Sequence, residues 1–370
     1  MGKGATPEGT KRYAERVGAT TAQGHFREQQ ELQMSSIGLG TYLGHWDEHT
    51  DRAYQDAIKR AFQLGCNVID SAINYRFQRS ERVIGAALKQ AISAGTVSRD
   101  EVVIATKGGF FPFDGEPPHD ARAWVTENVL NRGLARAEDI AGGGHCMTPA
   151  YLDDQLSRSL ANLGVDTIDI YYVHNPETQL EFVSGEEFVR RIRSTFEFLE
   201  RAASEGRIQF YGTATWNGYR QEPGSRGYLS LGTLESIAKE IGGDGHRFRV
   251  IQLPHNLAMP EALTLGNQEV EGETLSTLMA CNRLGITVMC SASILQAKLT
   301  AGLPEFVSQA LSGLTTDAQR AIQFVRSTPG VTTALVGMSK RSHVEENLAT
   351  ARVSPVSMET FFSMFSSGEE

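Results

Sequence analysis

Eight short apolar runs punctuate most of this chain, and a longer polar or amphipathic stretch follows nearly every one. The runs are SIGLGTY, CNVID, EVVIAT, DTIDIYYV, IQFYGTA, FRVIQL, ITVMCS and TTALVG. Stretches such as SERVIGAALKQAIS and PAYLDDQLSRSLANLG lie between them, and several end at a glycine, as a helix C-cap does. Strands that alternate with helices pair in parallel, and eight strands close a (β/α)8 barrel. The sequence therefore predicts an α/β fold of the TIM barrel type.

A doubly wound parallel sheet is the alternative that the same alternation allows. That fold commonly holds a dinucleotide at a G-x-G-x-x-G turn, and no such turn opens the first βα unit here. The 370 residues are 40% hydrophobic and 21% charged, which is enough apolar material for one large core. Since no segment has the composition of a domain linker, we expect a single barrel domain over residues 35–353.

Three segments fall outside the repeat. Residues 1–34 are polar, and we expect an ordered arm or a loose tail there. Residues 108–147 form a long insertion between the third strand and its helix, and their proline, glycine and aromatic content favours a folded lid over a flexible linker. Residues 354–370 form a C-terminal tail with little periodicity.

Charge and composition exclude several classes of function. The formal net charge of -9, from 35 basic and 44 acidic residues, argues against nucleic acid as a partner. No apolar stretch is long enough for a membrane span, and the N-terminus lacks the apolar core of a secretory signal. The histidines are scattered and form no metal-binding motif with cysteine. The four cysteines are few and unclustered, which favours reduced thiols in a cytoplasmic protein.

Four ionisable residues stand at or just past the ends of three successive runs. Asp70 ends the second run and Tyr75 lies in the loop behind it, while Lys107 follows the third run. His174 follows the fourth. Alone, each fits a structural role: a helix cap, a packed aromatic, a solvated lysine or a core histidine. Together they indicate a proton-handling site, because the carboxyl ends of barrel strands share one face.

The chemistry of these four groups is mutually consistent. We expect Lys107 to lower the pKa of Tyr75, Asp70 to hold the lysine in place, and His174 to orient a substrate oxygen. Such a site can give a proton to a carbonyl oxygen or take one from an alcohol. It supplies no electrons, so a redox cofactor must provide the hydride. A serine hydrolase is excluded because no G-x-S-x-G elbow occurs.

In its motifs the chain resembles the aldo-keto reductase superfamily over about residues 36–352. The matching segments occur in family order: GLGTYLG, DSAINY, TK, YYVHNPE, GRIQFYGTATW, IQLPHN and VGMSKRSHVEENL. The resemblance implies NAD(P)(H)-dependent reduction of aldehydes or ketones, or oxidation of the corresponding alcohols, in a (β/α)8 barrel. It also implies a catalytic tetrad, namely Asp70, Tyr75, Lys107 and His174.

The same resemblance implies a set of cofactor-binding residues. They are Gly40, Thr41, Tyr42, Asp70, Thr215, Gln252, Gly337, Met338, Lys340, Arg341, His343, Glu346 and Asn347. Leu295 and Gln296 are added to the set because they lie in the loop after the seventh strand, where barrels commonly hold phosphate by backbone amides. Two positions depart from the family pattern. Thr215 follows an alanine where the family often has Ser-Asn, and MCSASILQ contains no aromatic residue to stack on a nicotinamide. Trp216 is a candidate to wall the pocket instead, although a packed indole explains it equally well.

The residues near the C-terminal motif bear on the choice of cofactor. His343 stands where many family members place an arginine for the 2′-phosphate of NADP, so Lys340 and Arg341 are the candidates for that charge. We therefore expect NADP(H), with NAD(H) as the alternative.

The favoured function is an NADP(H)-dependent carbonyl reductase or alcohol dehydrogenase, with Tyr75 as general acid or base and a small-molecule carbonyl or alcohol as substrate. A nucleotide-binding regulatory barrel without efficient turnover is the main alternative, and a barrel isomerase or lyase is the third. We expect residues 108–147 and the loops at 217–229 and 258–273 to shape a pocket for something larger than a simple aldose.

Overall fold

Eight strands of the protein pair edge to edge into a closed parallel barrel. The computed structural model describes residues 4–366. Its strands are β1 (Phe26–Gln29), β2 (Leu32–Ser35), β3 (Ile37–Gly40), β4 (Val68–Asp70), β5 (Val103–Gly108), β6 (Ile168–His174), β7 (Ile208–Ala214), β8 (Phe248–Pro254), β9 (Gly266–Val270), β10 (Glu273–Ser276), β11 (Thr287–Ser291) and β12 (Thr333–Gly337). The barrel order is β3-β4-β5-β6-β7-β8-β11-β12, and β12 pairs with β3 to close it. Each of the eight apolar runs contributes one of these strands, so the predicted (β/α)8 fold is confirmed.

Helices lie before, between and after the barrel strands. They are α1 (Pro7–Val17), α2 (Glu48–Gln63), α3 (Arg79–Ser93), α4 (Ala121–Val125), α5 (Pro149–Leu163), α6 (Gly185–Ser204), α7 (Leu231–Gly242), α8 (Glu261–Thr264), α9 (Thr277–Arg283), α10 (Glu305–Ala310), α11 (Asp317–Ser327), α12 (Arg341–Leu348) and α13 (Met358–Ser366). The local sequence accounts for their ends. In α5, for example, Pro149 opens the helix and Gly164 ends it in the left-handed conformation.

The antiparallel hairpin of β1 and β2 covers the N-terminal end of the barrel. Leu32 and Met34 are buried there in one apolar cluster with Val68 and Val103, the first residues of β4 and β5. Helix α1 packs beside the hairpin, and its Tyr13 hydroxyl donates to the Phe62 carbonyl at 2.7 Å. The described part of the predicted N-terminal arm, residues 4–34, is therefore ordered and in contact with the barrel.

The long insertion 108–147 is folded and has its own small core. It contains α4, a π-helical turn at Thr126–Leu130 and a 3-10 turn at Ala137–Asp139. Its core is the buried cluster of Phe111, Val129, Ala135 and Cys146, which packs against Tyr151 of α5.

The C-terminal tail 354–370 contains helix α13, and its residues 367–370 lie outside the described part of the chain.

One expected loop contains regular structure. Within residues 258–273, β9 forms and pairs antiparallel with β10, against helices α7 and α9. All four cysteines are buried and free. In residues 4–366, no helix is long and apolar enough to cross a membrane, and no group of three or more histidine, cysteine or carboxylate side chains is placed to hold a metal ion.

Gly212 lies where β7 and β8 leave no room for a side chain, and its replacement tests the fold. The β7–β8 register shifts beside it, and a Cβ atom there would lie 1.5 Å from the Val250 carbonyl oxygen. Because an added methyl must push the strands apart, we expect Gly212→Ala to lower the free energy of unfolding by about 3 kcal/mol. Urea denaturation measures this change.

The matched control is Gly18→Ala. Gly18 ends α1 with right-handed backbone angles, and a Cβ there would meet no atom within 4 Å. Its stability should stay within about 1 kcal/mol of the wild type. Equal losses in the two variants would show that the β7–β8 approach is not the cause.

Candidate active site

The structure brings the four predicted catalytic residues together at the carboxyl end of the barrel. Asp70 ends β4, Lys107 is the next-to-last residue of β5, and His174 ends β6. Tyr75 lies in the turn behind β4, and the Lys107 Nζ atom is 4.9 Å from the centre of its ring. The ring centres of Tyr75 and His174 are 5.8 Å apart. The strand order, with β4, β5 and β6 adjacent, explains this grouping.

A buried ion pair forms the base of the site. The Lys107 ammonium donates to Asp70 Oδ2 at 2.7 Å and to the Ser71 carbonyl at 2.5 Å, and only 1% of Lys107 is exposed. Asp70 Oδ1 accepts a further hydrogen bond from Gln252 Nε2 at 2.8 Å. Burial lowers the pKa of Lys107, and the Asp70 carboxylate opposes that shift. Both charges are satisfied by hydrogen bonds, which a buried pair requires.

Tyr75 differs from the expectation drawn from the sequence. Burial, followed by the charge of Asp70 and the proximity of Tyr42, raises the pKa of the Tyr75 phenol well above 10. The Lys107 ammonium, which is paired with Asp70 and lies 4.9 Å from the ring centre, does not outweigh these causes. Tyr75 is therefore a protonated phenol at neutral pH, which is the form that can donate a proton.

His174 is held as a neutral imidazole. Burial, together with the positive charge of Lys107, lowers the pKa of His174 well below 6.5. Its Nδ1 atom is buried and has no hydrogen-bond partner in the described part of the chain. Phe110 packs edge-on against the ring, with centres 5.0 Å apart. The carbonyl of His174 accepts a hydrogen bond from His145 Nε2 at 2.7 Å, a contact that no sequence pattern predicted.

A cavity of about 850 Å³ opens above these residues. This is within the range of small-molecule and cofactor sites. Most of the predicted cofactor-binding residues line it, namely Gly40, Thr41, Tyr42, Asp70, Thr215, Gln252, Gln296, Gly337, His343, Glu346 and Asn347. Trp216 also lines the cavity, and 42% of its surface is exposed.

Four predicted cofactor residues are not among those that line the cavity, namely Leu295, Met338, Lys340 and Arg341. Met338 is fully buried behind the end of β12. Lys340 and Arg341 are exposed where α12 begins, and Arg341 Nε donates to Glu345 Oε1 at 3.1 Å. One turn of helix separates Arg341 from Glu345, so this local pair competes with any contact to the cavity.

The loops expected to shape the pocket contribute less than their length suggested. From residues 217–229 and 258–273, no side chain is among those lining the cavity, and Phe110 is the one lining residue from 108–147.

The turn after β7 is held by a buried carboxylate. Glu177 Oε1 accepts from the backbone N–H groups of Trp216 at 2.8 Å and Asn217 at 3.2 Å.

Two further polar atoms at the cavity lack partners. Thr215 Oγ1 and Asn74 Oδ1 are buried and form no hydrogen bond with any residue from 4 to 366. Buried polar groups are normally satisfied, so unpaired ones in a cavity wall indicate that a polar ligand completes the site.

Comparison with known proteins adds an independent observation. A family model described as "Aldo/keto reductase family" matches residues 36–221, half of the 370-residue chain. The chain belongs to the aldo/keto reductase family. The resemblance recognised in its motifs is thereby confirmed.

Curated relatives match this aldo/keto reductase over part of their length. The NADH-specific methylglyoxal reductase of Escherichia coli is 29% identical over 212 residues, which cover 56% of this chain and 55% of the relative. The NADP(+) aldo-keto reductase yakc of Schizosaccharomyces pombe is 25% identical over 267 residues, which cover 72% of this chain and 59% of the relative. The chain thus spans little more than half the length of these relatives.

Solved structures share the fold. An aldo/keto reductase from Klebsiella pneumoniae in complex with NADP and acetate has a TM-score of 0.61 at 20% identity, with 93% of this chain and 94% of that one covered. A glycerol dehydrogenase from Gluconobacter oxydans has a TM-score of 0.65 at 16% identity, with 93% of this chain and 95% of that one covered. At these identities the likeness concerns the barrel architecture.

Buried histidines predict how the stability of the protein depends on pH. Burial lowers the pKa of His25 to about 3 and the pKa of His145 and His255 to about 4. An unfolded histidine titrates near 6.5, so the unfolded chain binds more protons as the pH falls below that value. We expect the free energy of unfolding to fall between pH 7 and pH 5, by on the order of 2 kcal/mol for each histidine.

Urea denaturation at the two pH values measures this loss. The variant His255→Gln can keep the hydrogen bond to Thr328 Oγ1, which is 3.0 Å from the imidazole. Between pH 7 and pH 5, the free energy of unfolding of this variant should fall by about 2 kcal/mol less than that of the wild type. Equal stability of the wild type at pH 7 and pH 5 would contradict the neutral, buried state of these rings.

Proposed function

We propose that the protein transfers a hydride between a nicotinamide cofactor and an aldehyde or ketone, or the corresponding alcohol. The observation that carries the proposal is the grouping of Tyr75 and His174 over the buried Lys107–Asp70 pair, at one end of a cavity with unpaired polar atoms. Membership of the aldo/keto reductase family supports it.

The residues of the cavity suit a nicotinamide nucleotide. Thr215 Oγ1 and Asn74 Oδ1 are buried and available for its polar groups. Gly40 and Gly337 lie where β3 and β12 end and place no side chain against the cavity, and a Cβ on either would be in ordinary van der Waals contact at 3.7 Å or more. Gln252 lines the cavity and donates to Asp70, and we assign its amide to the carboxamide of the nicotinamide. When bound, the nicotinamide supplies or accepts the hydride.

The chain itself handles the proton. In reduction, the Tyr75 phenol donates its proton to the carbonyl oxygen, and the raised pKa keeps that proton in place until then. The Lys107 ammonium over the ring stabilises the phenolate that remains, and Asp70 keeps the ammonium charged. The neutral imidazole of His174 orients the carbonyl oxygen. In the oxidative direction the same groups act in reverse.

We favour NADP(H) as the cofactor. Helix α12 begins without a side-chain cap, so its first N–H groups are available for an anion. Lys340, at the N-terminus of that helix, supplies a positive charge there. His343, in the first turn of the helix, lines the cavity. The curated relatives include an NADH-specific methylglyoxal reductase and an NADP(+) aldo-keto reductase, so NAD(H) is the alternative to be tested.

Replacing the proton donor tests the proposed chemistry. We expect Tyr75→Phe to lower kcat by about 10²- to 10⁴-fold, the contribution of general acid catalysis. The affinity for NADPH should change by less than about threefold, because the hydroxyl rather than the ring is removed. Loss of nicotinamide absorbance with a panel of small and bulky carbonyls measures turnover, and calorimetry measures binding.

Tyr13→Phe is the matched control, because the Tyr13 hydroxyl donates to a carbonyl of α2, away from the cavity lining. Its turnover should equal that of the wild type. If the wild type binds NADPH and reduces no carbonyl, the alternative of a nucleotide-binding barrel without turnover replaces the enzyme.

Cofactor preference is tested by parallel titration with NADPH and NADH. Trp216 lines the cavity, so tryptophan fluorescence reports binding there. We expect tighter binding of NADPH, and we expect Lys340→Ala to weaken NADPH binding about 10-fold, the loss of one charge-assisted contact, while leaving NADH binding unchanged. Lys239→Ala on α7 is the control and should alter neither affinity. Tighter binding of NADH by the wild type would reverse the cofactor assignment.

A further inference from the structure

The insertion 108–147 places a fully buried histidine directly behind the proposed active site. The His145 Nε2 atom lies 2.7 Å from the His174 carbonyl oxygen, and its Nδ1 atom lies 2.8 Å from Gln179 Nε2. A carbonyl can only accept, so Nε2 carries the hydrogen. The Gln179 amide then donates to Nδ1. The ring is therefore a neutral imidazole in one tautomer.

This contact is anchored at its far end by helix α6. Gln179 Oε1 accepts from Arg191 Nη1 at 2.6 Å, and the same amide also donates to the His145 carbonyl at 3.2 Å. Arg191 in turn donates to Glu187 Oε1 at 2.8 Å and to the Glu138 carbonyl of the insertion at 3.0 Å. A continuous line of hydrogen bonds thus connects α6 and the insertion to the end of β6.

The peptide group that follows His174 is held from both sides. Its carbonyl accepts from His145, and its N–H, which belongs to Asn175, donates to the Ala214 carbonyl of β7 at 2.6 Å. Asn175 has a left-handed backbone with φ +46°, an uncommon conformation for a residue other than glycine. Such a conformation persists where surrounding contacts determine it.

The start of the insertion is shaped around the same hydrogen bond. Gly109 has φ +143°, and a Cβ there would lie 2.9 Å from His145 Nε2 and 3.1 Å from the His174 carbonyl oxygen. A side chain at this position would collide with the contact. The next residue, Phe110, packs edge-on against both rings, with centres 5.1 Å from His145 and 5.0 Å from His174. Phe110 also lines the cavity.

We propose that His145 is a positioning residue, whose Nε2–H fixes the His174 carbonyl and thereby holds the His174 imidazole and Phe110 against the substrate's reacting oxygen. This inference rests on the proposed function. It assigns the insertion a role as a support behind the site, in place of the lid expected from its composition. Reaction rates depend steeply on such placement, since a displacement of about 1 Å can cost 100-fold.

A pair of substitutions separates the hydrogen bond from simple packing. His145→Phe keeps the volume of the ring and removes the donor. His145→Gln places an amide nitrogen the same number of bonds from the backbone as Nε2, so it can donate to His174. We expect His145→Phe to lower kcat by about 10- to 100-fold with little change in KM or NADPH affinity. His145→Gln should recover activity to within about threefold of the wild type.

A purely structural role predicts a different pattern. Thermal denaturation midpoints would then fall in both variants, while kcat per folded molecule would stay at the wild-type value. Equal kcat in His145→Phe and the wild type would overturn the inference and leave the proposed function standing. Equal losses in the Phe and Gln variants would also overturn it.

Gly109→Ala approaches the same contact from the other side. Its Cβ should displace the hydrogen bond and reproduce the kcat loss of His145→Phe, and the double variant should lose little more than either alone. Gly144→Ala, in the same insertion, is the control. A Cβ at Gly144 would meet no atom within 4 Å, and its activity should be unchanged.

One measurement decides the positioning role without turnover. Hydrogen exchange of the Asn175 amide should be faster in His145→Phe and return to the wild-type rate in His145→Gln. Unchanged exchange in His145→Phe would overturn the inference. A wild type that reduces no carbonyl would instead overturn the proposed function, and the exchange rates would still test the contact.

Discussion

The buried ion pair of Lys107 and Asp70 is the interaction on which the site depends. Removing either partner would leave an isolated charge in the barrel, at a cost of about 3–5 kcal/mol. The pair joins β4 to β5, the Ser71 carbonyl completes the ammonium's contacts, and Gln252 ties the carboxylate to β8. Tyr75 lies over this pair, so the charge needed beside a developing phenolate is in place before any ligand binds.

The second half of the site is built by contacts between distant segments. His174 ends β6, and its carbonyl accepts a hydrogen bond from His145 in the insertion. The N–H of the next residue, Asn175, donates to the Ala214 carbonyl of β7. The turn that carries Trp216 is held by Glu177. In each case a polar side chain removed from water is matched by a backbone partner, which gives the cavity walls a defined position.

The sequence predicted the barrel well because strands buried on both faces are continuous apolar runs. It did not predict the β1–β2 and β9–β10 hairpins, because their strands are partly exposed and contain no continuous apolar run. It grouped the four proposed catalytic residues correctly, since strand order alone brings them together. It misjudged the pKa of Tyr75, because burial and the pairing of Lys107 cannot be read from spacing.

Sequence alone determined which residues end each strand, and hence which chemical groups meet at the barrel mouth, because the geometry of a parallel barrel places those ends on one face. Tertiary structure decided how those groups are held. The first turn of α12 directs Arg341 to Glu345 and leaves His343 at the cavity. The support of His174 by His145 depends on a hydrogen bond across 29 residues of chain, and no local pattern encodes such a contact.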